Sequence, residues 1–303
     1  MMAMISRRSW LQCSLGALAV VPALASGADA LKPIRARGKD AGLGPFEVFE
    51  SEGFRGIGDA PAGFQKEALA VCEAVSADYR RHFQEKGFEL NRPADRLTVV
   101  ILAGPRSYAA FEKVPISEAI GGHFDLEANW LVIFDSREPG PGAKAGVAVA
   151  QANNTLKLVH ETIHQLTFNT GLLDRKADVP LCVSEGLATY GETWRPGHKA
   201  EIGSVNFRRR RGLEDGAKEG VKWIPLARLL ADDRPFNDGK EQQVAYAECW
   251  MFASKMLKDR ARLPKFREYL AALKGEPDPK RRVELATTHL GDLARLDRDI
   301  RRG

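Results

Sequence analysis

The feature that most constrains this chain is the stretch KLVHETIHQLTFNTGLL, in which His160 and His164 lie four positions apart. A helix is expected here, because Asn153 or Asn154 can cap its start and Gly171 can end it. Its apolar residues form one stripe: Leu156, Val159, Ile163 and Leu166. The stripe predicts that the helix packs on a core, with both histidines side by side next to it.

Two imidazoles one helical turn apart can hold a single zinc ion, for which nitrogen is a suitable ligand. Glu161 follows His160 directly and would lie beside such an ion, where a carboxylate can accept a proton from water that the metal has made more acidic. This is the His-Glu-x-x-His arrangement of zinc metalloproteases. The same pattern also arises by accident, so the motif alone leaves a zinc site and an ordinary core helix both open.

A catalytic zinc site needs a third protein ligand. The three-histidine arrangement requires glycine at position 167 and histidine at position 170, and Thr167 and Thr170 exclude it. A second arrangement takes a glutamate from a following helix. The stretch VPLCVSEGLATYGETW supplies Glu185, 21 positions after His164, and Pro180 can open its helix. The small residues at positions 186 and 188 would let this helix approach the first one closely, and an unpaired buried carboxylate would be costly.

With HETIH followed by SEGLATY, the chain resembles the gluzincin branch of the zincin metallopeptidases, and most closely the secreted bacterial peptidase MA-like domains of mostly uncharacterised function. The close resemblance covers residues 155–194, and it extends more loosely to GGHF and to YAECWMFASKML. It implies one zinc ion held by His160, His164 and Glu185. It also implies peptide hydrolysis with Glu161 as the general base.

The resemblance suggests further site residues. Tyr246 matches a tyrosine in the family's downstream helix and is the first candidate for a donor that stabilises the oxyanion. Tyr190 and His198 are weaker candidates, and an ordinary packed or surface role is the alternative for all three. His123, in GGHF, is either a cleft residue or a strand histidine that faces solvent.

The chain departs from its relatives at two positions. Cys182 stands where tryptophan is common, and it is either a small buried residue or a thiol that approaches the metal. Thr189 stands where some relatives have an aspartate, so the partners of the ligand histidines' second nitrogens are unassigned. Asn169 and Glu192 are the candidates for that role.

The first thirty residues predict an export signal that is removed from the mature protein. The pair Arg7 and Arg8, followed by an apolar run, resembles a twin-arginine signal, with a general secretory signal as the alternative. The expected location is therefore the periplasm, the cell envelope or the exterior. The apolar run is short for a stable membrane span, and no later stretch qualifies.

Charge and cysteine content add little. Without residues 1–30 the chain has 43 basic and 39 acidic residues, a net charge of +4 that does not point to a nucleic-acid partner. The run Arg208–Arg211 could contact phosphate or an anionic cell-envelope polymer, but it is expected to be a solvated surface. Three cysteines remain after removal of the signal, so no disulfide scaffold is implied.

The predicted fold class is α+β and zincin-like. Residues 31–44 are expected to be an irregular linker. A sheet-containing half at 45–150 has a buried strand at 96–104 and a hairpin at 121–135, which gives a small mixed or antiparallel sheet with helices. A mainly helical half follows at 151–303, with the metal site expected between the halves.

The leading functional hypothesis is an exported zinc-dependent metallopeptidase that acts on a peptide or protein substrate. The alternatives are a non-catalytic zinc-containing binding or cell-envelope module of the same fold, and a structural protein with accidental motifs that binds no metal. Specificity and oligomeric state do not follow from the sequence, because fold and motif identify no particular peptide.

Overall fold

The computed structural model describes residues 30–116, 121–138, 146–197 and 201–302, so His198 and nearly all of the predicted export signal lie outside the described residues. The fold is α+β, as predicted. The described part has five strands: β1 (Glu47–Glu50), β2 (Phe54–Gly58), β3 (Leu97–Leu102), β4 (Gly122–Asp125) and β5 (Trp130–Phe134). It has eleven α-helices: α1 (Lys32–Asp40), α2 (Ala62–Glu85), α3 (Pro105–Glu112), α4 (Val147–Asn169), α5 (Leu181–Gly191), α6 (Phe207–Lys218), α7 (Leu226–Ala231), α8 (Gln242–Lys258), α9 (Leu263–Leu273), α10 (Arg282–Leu290) and α11 (Leu293–Arg301).

The strands form one mixed sheet in the order β1-β2-β3-β5-β4. Strand β3 is central and pairs in parallel with β2 and β5, and its last four residues are buried, as expected for a β-branched apolar run. Strands β4 and β5 form the predicted antiparallel hairpin. Asn129 in its turn has a φ of 59°, a left-handed conformation that asparagine tolerates well.

The expectation of an irregular segment at residues 31–44 is wrong, because helix α1 occupies most of it. Pro33 lies in the first turn, where its missing N–H costs nothing. Ile34 is fully buried in a core cluster that includes Phe46 and Phe111. Two apolar residues one turn apart, at 31 and 34, thus fix a segment whose composition looked like that of a linker.

Helix α4 begins earlier than predicted, at Val147 instead of near Asn153. Asn154 does not cap it. Its side chain accepts a hydrogen bond from the Ser136 backbone N–H at 2.8 Å and donates one to Asp135 at 2.8 Å. A tertiary contact therefore occupies the amide that sequence reasoning assigned to the helix start.

The described chain divides into two compact units. The first comprises the described part of Met1–Glu73 together with Asp95–Leu158, and it contains the whole sheet. The second comprises Ala74–Ala94 and the described part of Val159–Gly303, and it is helical. None of the described helices is both long enough and apolar enough to span a membrane.

Candidate metal centre

Helices α4 and α5 carry the candidate ligands. Helix α4 ends at Asn169, and Gly171 follows with a φ of +76°, the left-handed conformation that favours glycine after a helix. Pro180 precedes α5, as predicted, and every residue of α5 is buried. A helix buried on all sides places even its polar residues in the interior, where they need partners.

His160, His164 and Glu185 lie together and form the ligand group. The two imidazole Nε2 atoms are 3.1 Å apart, and each is 3.2 Å from Oε2 of Glu185. All three side chains are buried, with at most 6 % of any residue exposed. Within the described residues they make up a group of ligand atoms close enough to hold one metal ion.

The donor set fits a cation. His160 can donate its Nδ1–H to a carboxylate, which leaves Nε2 as a lone-pair acceptor facing the carboxylate oxygen of Glu185. Converging acceptors repel one another unless a proton or a metal ion lies between them. Zinc bonds to such atoms are about 2.0–2.1 Å long, so two tetrahedral ligands stand about 3.3–3.4 Å apart, close to the separations in this group.

The pKa values of His160 and Glu185 reflect the same demand for positive charge. Burial by itself disfavours a charged imidazole, but the hydrogen bonds to Glu185 and Glu192 raise the pKa of His160 to about 10. Burial also disfavours a charged carboxylate. The neighbouring His164 and His160 nevertheless hold the pKa of Glu185 well below its usual range.

Glu192 orients the first ligand. Its Oε1 accepts a hydrogen bond from Nδ1 of His160 at 2.8 Å, which leaves Nε2 free to bind a metal. Arg209 holds both carboxylate oxygens of Glu192, one of them through Nε at 2.9 Å, and Asn206 donates to the same carboxylate at 2.9 Å. The charge of Arg209 helps to keep the pKa of Glu192 well below its usual value although the group is buried.

Two members of this network were missed by sequence reasoning. Arg209 belongs to the arginine run that was expected to be solvated, but only 7 % of it is exposed, whereas the other three arginines are exposed as predicted. Asn206 caps α6 by accepting from the Arg209 backbone N–H at 3.2 Å. Two features of the sequence could have identified these residues. Asparagine is a favoured residue at a helix start, and a buried carboxylate such as Glu192 needs a nearby cation.

Glu161 and Tyr246 lie close to the ligand group. Glu161 is 3 % exposed, and its charge acts on both His160 and Tyr246. Burial and the carboxylate of Glu185 raise the pKa of Tyr246 well above its usual value, so its hydroxyl stays protonated and able to donate. The guanidinium of Arg209 lies 5.0 Å from the centre of the Tyr246 ring, which fixes the ring by a cation–π contact.

The other candidates have different contacts. Tyr190 forms a 3.1 Å hydrogen bond with His82, and Asn169 donates to the Gln165 carbonyl of its own helix. His123 belongs to the sheet-containing unit, where its Nδ1 is 2.9 Å from the Tyr108 hydroxyl and it is partly exposed.

Thr189 and Cys182 both make local contacts that explain their positions. Thr189 bonds back to the carbonyl of Glu185 at 2.6 Å, so it cannot replace an orienting aspartate. Cys182 is buried beside Cys249 and is absent from the metal-ligand group, in agreement with the packing interpretation. All three described cysteines are free thiols.

Residues 154–274 match a family model described as a protein of unknown function (DUF1570). The match covers less than half of the chain, but it includes all three ligand candidates and the residues around them: Glu161, Glu192, Asn206, Arg209 and Tyr246. No curated protein matches the chain in a sequence search.

Proposed function

We propose that this protein is an exported, zinc-dependent metallopeptidase of the zincin type. One observation carries the proposal: two imidazole nitrogens and one carboxylate oxygen converge in a buried site, within 3.2 Å of one another. Glu161 lies next to them. Two nitrogens and one oxygen, with a carboxylate beside them, form the ligand set of catalytic zinc, which leaves a position open for water.

His160, His164 and Glu185 would hold the ion. When bound, zinc supplies a Lewis acid that polarises a peptide carbonyl and makes water a better nucleophile at neutral pH. Glu161 accepts a proton from the attacking water and passes it to the leaving amine. The Tyr246 hydroxyl, kept protonated by burial and by Glu185, donates to the developing oxyanion.

The proposal also covers export, which rests on the sequence of residues 1–30 and its paired arginines. The resemblance of HETIH and SEGLATY to the gluzincins supports peptide hydrolysis. No other reaction class is favoured by a specific observation.

Metal analysis and a Glu161→Gln variant test this function. The purified mature chain should contain one zinc ion, and His164→Ala should lose it. Glu161→Gln should retain zinc yet lower the cleavage of a pool of quenched fluorogenic peptides by at least about a hundredfold, because a general base contributes about 10²–10⁴. Glu248→Gln, a matched change in a buried glutamate outside the ligand group, should leave both unchanged.

Each possible failure has its own meaning. Cleavage that survives in Glu161→Gln would refute the proposed mechanism. Zinc binding without any cleavage by the unmodified chain would favour the non-catalytic zinc module. The absence of bound metal would favour the structural interpretation.

A further inference from the structure

The helical unit contains a groove of about 760 Å³ that none of the metal-ligand candidates lines. Helices α6, α8 and α11, together with the segment before α7, contribute its walls. Large apolar side chains line much of it: Leu213, Trp223, Trp250, Met251 and Ile300. A volume of this size falls within the range of pockets that hold a ligand of several side-chain volumes.

The charges around this groove are mainly positive. Five basic residues and two acidic ones line it, namely Arg210, Lys255, Lys258, Arg301 and Arg302 against Glu214 and Asp259. Two of the cations are paired within the protein, because Lys255 lies 3.5 Å from Asp259 and Arg301 lies 2.7 Å from Asp297. Within the described residues, the other three cations make no ion pair, and of the two acidic lining residues Asp259 is already paired with Lys255 and Arg262.

A further cation, Lys86, lies near Lys258. Burial and the nearby ammonium group of Lys86 lower the pKa of Lys258. Lys86 in turn is held in place by a 3.0 Å hydrogen bond to the Leu257 carbonyl. An anion bound in the groove would relieve the repulsion between these two lysines.

The aromatic residues do not offer a platform for nucleic-acid bases. The face of the Trp223 ring is covered by the Arg301 guanidinium at 4.9 Å, and its indole N–H donates to Asp297 at 2.9 Å. Trp250 is only 6 % exposed. Since single-stranded nucleic acid binds by stacking its bases on open aromatic faces, this groove does not suit it.

We infer that the groove binds an acidic polypeptide segment that also carries apolar side chains. The three unpaired cations come from different elements, Arg210 from α6, Lys258 from the end of α8 and Arg302 from the chain after α11. This distribution fits several carboxylates spaced along a chain better than one compact anionic head group. The partly exposed side chains of Leu213 and Met251 form the apolar floor of the groove, against which the intervening apolar side chains would pack.

This binding does not depend on the metal chemistry proposed above, so it is tested with metal-free protein. The probe is a fluorescein-labelled octapeptide of alternating glutamate and leucine, and its binding to the full mature chain is followed by fluorescence anisotropy. A glutamate–serine peptide keeps the charge without the apolar side chains, and a lysine–leucine peptide reverses the charge. The glutamate–leucine peptide should bind most tightly, and its affinity should fall as salt is added.

Charge-reversal variants locate the binding surface. Lys258→Glu and Arg210→Glu should each weaken binding about threefold to tenfold, and the double variant more. Lys280→Glu changes an exposed lysine outside the groove and should leave the affinity within about twofold. All three sites are exposed, so unchanged thermal unfolding is expected for every variant and should be checked.

Three results would overturn the inference. The first is equal affinity for the glutamate–serine peptide, because the apolar floor would then have no role. The second is binding that the groove variants do not alter. The third is competition by an oligothymidylate or a polyphosphate as strong as that of the glutamate–leucine peptide, which would assign the surface to polyanions in general.

Discussion

At the scale of single residues, the spacing of two histidines predicted their closeness, because residues four apart on a helix are neighbours whatever the rest of the chain does. Spacing alone did not select the orienting pair, although the sequence offered Glu192 and Asn169 as candidates for the carboxylate or amide partner. Glu192 and Arg209 lie 32 and 49 positions after His160, and only the tertiary structure brings Glu192 to the His160 ring and Arg209 to Glu192. The position four residues after Glu185 holds Thr189, so the orienting carboxylate comes from the end of α5 instead.

Weakening this pair should lower metal affinity without removing a ligand. Glu192→Gln should reduce zinc affinity about tenfold to a hundredfold, because the amide is a weaker acceptor for the His160 Nδ1–H and leaves Arg209 without its anion. Competition with a chromogenic zinc chelator measures the change. Arg210→Met, one position along the arginine run, is the control and should bind zinc like the unmodified chain. Equal affinities in all three proteins would show that Glu192 does not act through His160.

At the scale of elements, α5 packs closely on α8, and Gly186 is a point of close approach between the two helices. A β-carbon at position 186 would lie 2.8 Å from the Cys249 carbonyl oxygen, a backbone atom that cannot move aside cheaply. The small residues beside Glu185 predicted that its helix would pack closely against the helix that carries the two histidines. The contact at Gly186 is instead made with α8.

A matched pair of glycine substitutions tests this packing. Gly186→Ala should destabilise the fold by about 1–3 kcal/mol, because the added methyl group forces the two helices apart. Gly212→Ala, in α6, meets its nearest atom at 3.5 Å, an ordinary contact, so the better helix propensity of alanine should stabilise by up to about 1 kcal/mol. Chemical denaturation measures both. A neutral Gly186→Ala would contradict the close approach seen here.

At the scale of the whole molecule, buried ionisable groups connect stability to pH. Glu248 accepts a hydrogen bond from the Ile224 backbone N–H at 2.9 Å. Burial raises the pKa of Glu248 from its ordinary 4.5 to about 8. Because the folded state binds this proton more tightly than the unfolded state, the contribution of Glu248 to stability is complete below pH 4.5 and is lost as the pH rises to about 8.

Glu248→Gln should remove this pH dependence. The amide stays neutral and can still accept from Ile224, so the variant should match the unmodified chain near pH 4. It should be more stable by about 3–5 kcal/mol near pH 8.5, because each unit of the shift from 4.5 to about 8 is worth about 1.4 kcal/mol. Thermal unfolding across this range measures the difference. Glu219→Gln, in an exposed glutamate, should change nothing at either pH, and a Glu248→Gln curve parallel to that of the unmodified chain would contradict the assignment.

The sequence by itself determined the parts of this protein that depend on local periodicity. The α+β class, the buried strand β3, the β4–β5 hairpin and the helices that carry His160, His164 and Glu185 all follow from patterns a few residues long. The tertiary structure decided which polar residues are interior: Arg209 donates to Glu192, and Asn154 donates to Asp135 instead of capping its helix. It also decided that the segment around Ile34, which was expected to be irregular, is a helix. The reason is physical. Hydrophobic periodicity depends on residues within one or two helical turns of each other. The free-energy cost of burying a charge or an amide is instead offset by a hydrogen-bond partner, which can come from any part of the chain that the fold brings close.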